Sequence, residues 1–238
     1  MSAPHRHRPK GLEIIYEDRD LLVINKDAGL LTMSTPKDEL QTAQHLLTDY
    51  LRKGAARSRL RAYTVHRLDR ETSGILIFAK TEAVQQKLKG EWPTTEKEYL
   101  AVVHGHFREK TGKISSYLAE NEAQFVYSTS QTKGRWSETE YTVVRETKEF
   151  SELKINLLTG RKNQIRVHMA EAGHSVVGDT KYGLKGTKFE RMALHARSIS
   201  FNHPHSGKRM FFEAPAPKFF NKLMHDSHAP LVNGTGKA

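Results

Sequence analysis

One stretch of this sequence gathers the residue types that acid–base and nucleophilic chemistry need. In Val65-His66-Arg67-Leu68-Asp69-Arg70-Glu71-Thr72-Ser73-Gly74 a polar centre follows one short apolar run and leads into another, Ile75 to Ala79. Loops of this kind hold reactive groups on a rigid support. Asp69 stands between Arg67 and Arg70. Neighbouring cations favour the ionised carboxyl, and a carboxylate kept in that form serves as nucleophile or base. A structural aspartate, salt-bridged within a turn, accounts for these residues at least as well.

Two further segments carry polar groups at informative spacing. Leu158-Thr159-Gly160-Arg161-Lys162-Asn163-Gln164-Ile165-Arg166-Val167-His168 falls where a strand should end and a helix begin. Free backbone amides at a helix start bind anions, and Arg161, Lys162 and Arg166 add cationic side chains. Helical spacing puts Asn163 and Arg166 on one face and Ile165 with Met169 on a buried stripe. A solvated basic helix start is the plain alternative. In Lys97-Glu98-Tyr99-Leu100-Ala101-Val102-Val103-His104-Gly105, strand alternation sets Lys97, Tyr99 and Ala101 on one face. A tyrosine there could stack on a nucleobase, although core packing is the usual reason for such a residue.

The elements that must position these groups read as a mixture of strands and helices. Leu12–Tyr16 and Leu21–Ile24 flank the turn-like EDRD and predict a hairpin. Residues 40–52 place Leu40, Ala43, Leu47, Tyr50 and Leu51 at helical spacing. Tyr63–Val65 and Gly74–Ala79 predict strands on either side of the Asp69 loop, and Thr81 is the natural N-cap of a helix to about Lys89. Strands are expected at Glu98–Val103, Glu140–Val144 and Glu152–Leu158. Gly160–Ala172 reads as a turn feeding a helix that Gly173 ends. Strands at Ala196–Phe201 and Arg209–Glu213 then precede a Pro-started helix over 217–225. Strands dominate and strand–helix–strand alternation is scarce, so the expected class is α+β, with a mixed, mainly antiparallel sheet flanked by helices and loops.

Composition narrows the partners. The chain has 238 residues, with Lys plus Arg 38 against Asp plus Glu 27, a formal charge of +11. Such a surplus favours a polyanionic partner, RNA, DNA or an anionic membrane. There is no cysteine, which removes disulfides, thiolate catalysis and Cys-type zinc sites. No apolar run follows the basic start MSAPHRHRPK, so a secretory signal is not expected and the cytoplasm is the default compartment. Ile75–Ala79 is far too short to span a bilayer. Residues 1–10 read as a flexible basic arm, 11–226 as one folded catalytic unit, and 227–238 as a flexible tail.

Taken in order, the three segments resemble the RluA-type family of pseudouridine synthases. The HRLD loop, the KEY-containing strand, TGR…QIRVH with GHSVVGDTKYG, and LHARSISFNHP leading to FFEAP follow the family's sequence over about residues 12–215. The resemblance implies an enzyme that isomerises specific uridines in ribosomal RNA or tRNA to pseudouridine, on a mixed sheet cleft by a basic RNA groove. Asp69 then stands in place of the catalytic aspartate, Tyr99 of the tyrosine against the uracil, and Arg166 of the basic partner of that aspartate. Arg67 matches the arginine that helps take the uridine out of its stack. Gly160 and Arg161 open the segment shaping the pocket wall, and Gln164 belongs to the same substrate-binding set. Three positions depart from the family's habit: Lys162-Asn163 replaces Thr-His, Lys26-Asp27 replaces Lys-Pro, and His174-Ser175 replaces His-Pro. No additional N-terminal RNA-binding domain is expected ahead of the catalytic unit.

Isomerising a uridine changes no oxidation state and transfers no external group, so no cofactor is expected. Neither GxGxxG nor GxxxxGK[ST] occurs. The thirteen histidines include the pairs His104/His106 and His203/His205, but zinc commonly needs a third and a fourth ligand, and none is ordered around them, so no metal is expected. A monomer is expected, since nothing reads as a coiled coil. A non-catalytic RNA-binding module and an aspartate-dependent hydrolase of a small anion are the competing classes. The first would not need Asp69, and the second would not need a basic domain.

Overall fold

The computed structural model describes residues 9–34, 40–53, 55 and 57–225. The tail expected over 227–238 and all but the last two residues of the expected arm lie outside the described residues. In chain order the strands and helices are β1 (Leu12–Glu17), β2 (Leu21–Lys26), α1 (Ala43–Arg52), β3 (Tyr63–Thr64), β4 (Ser73–Ala79), α2 (Glu82–Gly90), β5 (Glu96–His104), β6 (Thr111–Glu120), β7 (Val126–Thr129), β8 (Arg135–Glu146), β9 (Phe150–Leu157), α3 (Gln164–Glu171), β10 (Leu194–Asn202), β11 (Arg209–Glu213) and α4 (Lys218–His225). The class is α+β, and every strand pair with a described register is antiparallel. The chain clusters into two compact units. The first takes the described residues up to Thr95 with Ser198–Ala214; the second takes Glu96–Arg197 with the described residues from Pro215 onward.

In the first unit, the EDRD turn closes the expected hairpin. Asp18 Oδ1 accepts from the amides of Asp20 at 2.8 Å and Leu21 at 2.7 Å, the side-chain mimic of a backbone turn. β2 then pairs with β4 from Leu21↔Ala79 to Lys26↔Gly74. This register sets Lys26 opposite the point where the Asp69 loop enters β4. All seven residues of β4 are buried. That is why its sequence runs continuously apolar instead of alternating: Ile75, Ile77 and Ala79 pack with Leu21, Val23, Ile199 and Phe201, while Leu76 and Phe78 are equally inaccessible.

The helices follow their caps. α1 starts three residues later than the apolar spacing suggested, because Thr42 is its N-cap, accepting from His45 N at 3.2 Å. Leu40 is left outside the helix and 65% exposed. Thr81 caps α2 as expected, accepting from Val84 N at 3.2 Å.

In the second unit the strand order is β5-β9-β8-β6-β7. β6 and β7 had no sequence signal. The inward positions of β6 include Ser116, and those of β8 include Ser137 and Thr139, so the apolar alternation that marks a half-buried strand is broken. Ser137 Oγ donates to Arg135 O at 3.0 Å, and the other two hydroxyls face polar side chains of α3, as described below. α4 buries Phe219, Phe220, Leu223 and Met224 with Val102, Phe150 and Val177. Among the described residues no helix is long and apolar enough to cross a membrane.

Thr81→Ala removes a cap without touching the core. It should lower the unfolding free energy by about 1 kcal/mol, read as a shift of the urea midpoint at unchanged slope. An unchanged midpoint would show that Thr81 does not hold the start of α2.

Candidate active site

Asp69 is half-buried and sits in a loop fixed immediately before and after it. On one side, Thr32 Oγ1 donates to Leu68 O at 2.9 Å and accepts from Leu68 N at 3.1 Å, so a single buried hydroxyl satisfies both backbone groups of that residue. On the other side, Arg70 O accepts from Gly29 N at 2.8 Å and from Lys26 Nζ at 3.1 Å. Arg70 Nε returns a bond to Gly29 O at 3.1 Å, and Thr72 N closes the turn on Asp69 O at 3.1 Å. The loop leaves into β4 through Gly74, whose φ of 114° is a conformation that glycine alone adopts readily.

Lys26 is the centre of this clamp. It has no exposed surface. Its ammonium donates to Asp27 O at 2.8 Å, Leu30 O at 2.8 Å and Arg70 O at 3.1 Å, using all three of its protons. Burial pushes Lys26 down to about 8, against the pull of the Glu71, Asp27 and Asp69 carboxylates. The departure at Asp27 also has a structural consequence: its amide donates to Gly11 O at 2.9 Å, a bond that proline could not make. His66, earlier in the same loop, accepts from Ile77 N at 3.1 Å and lies against Trp92, with ring centroids 4.6 Å apart. Arg67 and Arg70 are exposed.

The second unit organises the basic segment at the start of α3. Gln164 is buried, and its amide is fully engaged. Its Oε1 accepts from Thr159 Oγ1 at 2.8 Å and Arg161 N at 3.0 Å; its Nε2 donates to Glu138 O at 2.9 Å and Thr139 Oγ1 at 3.0 Å. Two acceptor and two donor sites are the whole capacity of the group, so Gln164 holds the 159–164 turn in shape. Asn163 sits at φ 53°, which asparagine tolerates better than most residues. Its Oδ1 accepts from Tyr182 OH at 3.3 Å. Arg161 and Gly160 are exposed at the front of the turn.

Arg166 is gripped by a residue that the reading of the sequence left without a role. Asp179 receives Arg166 Nε on Oδ2 at 2.7 Å and Nη2 on Oδ1 at 2.8 Å. Its Oδ1 also accepts from the amides of Lys181 at 2.8 Å and Tyr182 at 3.0 Å. Burial alone would raise the Asp179 carboxyl; the Arg166 guanidinium and the two amides outweigh it and hold the group below its ordinary value. Tyr182 adds its ring face 5.1 Å from the guanidinium carbon. Two glycines make this cradle possible. A Cβ on Gly178 would lie 2.2 Å from Arg191 O, and one on Gly183 would lie 2.0 Å from Asp179 O. The available signal was the GDTKYG run itself, with Asp179 between the glycine turn and an aromatic residue.

The remaining predicted positions also find places. Tyr99 is buried on β5, paired with Ile155 of β9 and on one face with Lys97 and Ala101, and burial lowers the Lys97 ammonium. His168, on α3, is completely buried, with Nδ1 2.9 Å from Thr139 Oγ1 and Nε2 3.1 Å from Ser116 Oγ. Burial lowers its pKa, with Glu171 opposing, so it is neutral at pH 7. Of the histidines weighed as metal ligands, the His203 and His106 rings have polar protein partners. His203 contacts Asp18 through Nε2 and accepts from the His205 and Ser206 amides through Nδ1; His106 meets Thr147 O. No cluster of three possible ligands occurs among the described residues.

The family model described as RNA pseudouridylate synthase matches residues 20–171. An uncharacterised RNA pseudouridine synthase of Mycoplasma genitalium is 37% identical over 219 residues, covering 89% of this chain and 69% of the relative. The ribosomal large subunit pseudouridine synthase D of Zymomonas mobilis is 33% identical, over 92% of this chain and 74% of its own. The solved structure of human RNA pseudouridylate synthase domain containing 1 superposes with a TM-score of 0.71 at 27% identity, covering 91% of this chain and 87% of the other.

Two substitutions probe the two clamps. Lys26 holds its proton less tightly folded than unfolded, so the folded protein sheds it first as pH rises. Between about 8 and 10.5 the unfolded chain carries more protons, and stability should climb with pH by roughly 3 kcal/mol from this group. Lys26→Met should abolish that climb, as urea midpoints across the range will read; parallel curves for the two proteins would sink the assignment. Asp179→Asn leaves the buried Arg166 charge uncompensated and should cost about 3–5 kcal/mol. A melting temperature equal to wild type would show that the pair is not the support described.

Proposed function

This chain belongs to the family of RNA pseudouridylate synthases, isomerases that act on RNA, and from that premise we propose that Asp69 carries the chemistry on a uridine of ribosomal RNA or tRNA. The reaction breaks the bond from ribose C1′ to uracil N1, turns the ring, and rejoins C1′ to C5; the proton on C5 leaves and N1 gains one. In one route the Asp69 carboxylate attacks C1′ as the base departs. In the other it removes the C2′ proton to give a glycal. Both routes need the carboxylate ionised and held beside the sugar.

The observation that carries this reading is the fixation of Leu68 by Thr32 and of Arg70 by Lys26 and Gly29. A reacting group must be held to within a fraction of an ångström for its orientation to count toward the rate, and the backbone is tied at both neighbours of Asp69. The family resemblance assigns Arg166 as the basic partner of the catalytic aspartate, and Asp179 holds that guanidinium in one orientation. Tyr99 stacks on the uracil, worth about 1–3 kcal/mol, which offsets part of the few kcal/mol spent when the base leaves its stack. Arg67 stabilises the extruded nucleotide. Arg161 contacts RNA, and Gln164 serves the substrate by shaping the turn that presents Arg161. No cofactor takes part, and the protein works as a monomer in the cytoplasm. The Zymomonas mobilis relative is a ribosomal large subunit enzyme by name, which makes large-subunit RNA the first substrate to try.

A pseudouridine map of unmodified large-subunit ribosomal RNA and a tRNA pool, treated with wild type or Asp69→Asn, decides the matter. New pseudouridine should appear with wild type and fall by more than about a thousandfold with the variant, while RNA binding persists. Equal modification by both proteins would remove Asp69 from the chemistry. Tight binding with no pseudouridine from either would turn the reading to a binding module.

A further inference from the structure

The segment between α1 and the Asp69 loop has an unusual charge. From Tyr50 to Leu68 there is no carboxylate, whereas Arg52, Lys53, Arg57, Arg59, Arg61 and Arg67 all carry positive charge. Arg57, Arg59 and Arg61 recur at alternate positions and are exposed. Six cations elsewhere are paired with carboxylates. Lys80 pairs with Glu17, Lys110 with Glu146, Lys113 with Glu140, Arg145 with Glu152, Lys154 with Glu98 and Lys162 with Glu120. None of the ion pairs among the described residues involves Arg57, Arg59 or Arg61.

The strip is also held in place. Arg52 Nε donates to Leu60 O at 3.0 Å, Gln44 Nε2 donates to Ala62 O at 3.1 Å, and Ala62 N donates to Thr48 Oγ1 at 3.1 Å. Three bonds from α1 thus fix the backbone at Leu60 and Ala62, on either side of Arg61, and the Arg61 guanidinium rests 5.8 Å from the Tyr63 ring centre. Holding like charges together on an ordered backbone costs stability. A merely solvated face would gain nothing from that arrangement, and an RNA backbone would be paid for in kind.

We propose that Arg57, Arg59 and Arg61 form a docking strip for phosphates of the substrate RNA at a distance from the target uridine. The inference rests on RNA being the substrate. The distance follows from strand register. The strip joins β3 at Tyr63, which pairs with Ala79, whereas the Asp69 loop enters β4 at Ser73. At about 3.3 Å per residue the two ends of β4 lie roughly 20 Å apart. The strip therefore adds binding without touching the reacting nucleotide, and only an RNA long enough to reach it benefits.

The test compares wild type with the triple variant Arg57→Gln, Arg59→Gln, Arg61→Gln on a ladder of oligouridylates from about four to about thirty nucleotides, by fluorescence anisotropy at several salt concentrations. Wild-type affinity should step up once an oligomer spans the strip. The variant should lack that step, bind the long oligomers about tenfold or more weakly, and lose roughly two from the slope of log K against log salt. Short oligomers should bind both proteins alike, and the corresponding triple Lys variant should keep the wild-type slope, because point charges suffice. An equal loss at every length, or an unchanged slope, would overturn the proposal. If the triple Gln variant does not fold, Arg59→Gln alone should still cost about 0.7 of slope on long oligomers only. Pseudouridine formation separates this from the catalytic reading. Wild type that shows the length step but makes no pseudouridine sinks the catalysis and leaves the strip, and modification with no length step does the reverse.

Discussion

The buried ammonium of Lys26 is the interaction on which the first unit's site depends. A fully buried charge is tolerated only when its hydrogen-bonding capacity is met. Here three backbone carbonyls meet it, from Asp27, Leu30 and Arg70. Two of those carbonyls belong to the turn after β2, and the third to the residue after Asp69. One side chain thereby ties a turn to a loop more than forty residues away in the chain. The β2–β4 register that sets Lys26 opposite Gly74 makes the tie possible, and the apolar packing of β2 and β4 holds that register.

The second unit solves a similar problem with different chemistry. Arg166 is a planar fork, so its partner is a carboxylate that accepts it at two points, whereas the compact lysine ammonium suits three converging carbonyls. Asp179 is in turn fixed by the amides of Lys181 and Tyr182, and its neighbours Gly178 and Gly183 leave the space in which that backbone closes. Gln164 spends its whole amide on the same segment. In both units the charged group is oriented by hydrogen bonds that end on backbone groups, directly for Lys26 and through Asp179 for Arg166.

The polar interior under α3 belongs to the same logic. His168 meets Thr139 and Ser116, and Ser116 in turn accepts from Ser128 Oγ at 3.0 Å. Buried polar groups satisfied in this way specify one packing of helix on sheet. An apolar interface there would have been easier to recognise and would have left the helix freer to slide.

Read alone, the amino-acid sequence determined a good deal. Continuous apolar runs and turn residues marked β1, β2, β4, β9, β10 and β11, the caps marked α2 and α4, and the α+β class followed from their sum. The motif order placed Asp69, Tyr99 and Arg166 in a family. These features are local, since strand, turn and cap preferences are decided by a few adjacent residues. How those residues are held depends on contacts between distant segments. Lys26 reaches Arg70, Thr32 brackets Leu68, and Asp179 grips Arg166, and each tie joins segments whose spacing in the sequence carries no signal. β6 and β7 were illegible for the same reason: the serines and threonines on the inner face of the sheet look like surface until His168 and Gln164 are packed against them. Burial of a polar group is a property of the folded neighbourhood, so the residues that hold the Asp69 loop and Arg166 in place are the ones a linear reading passes over.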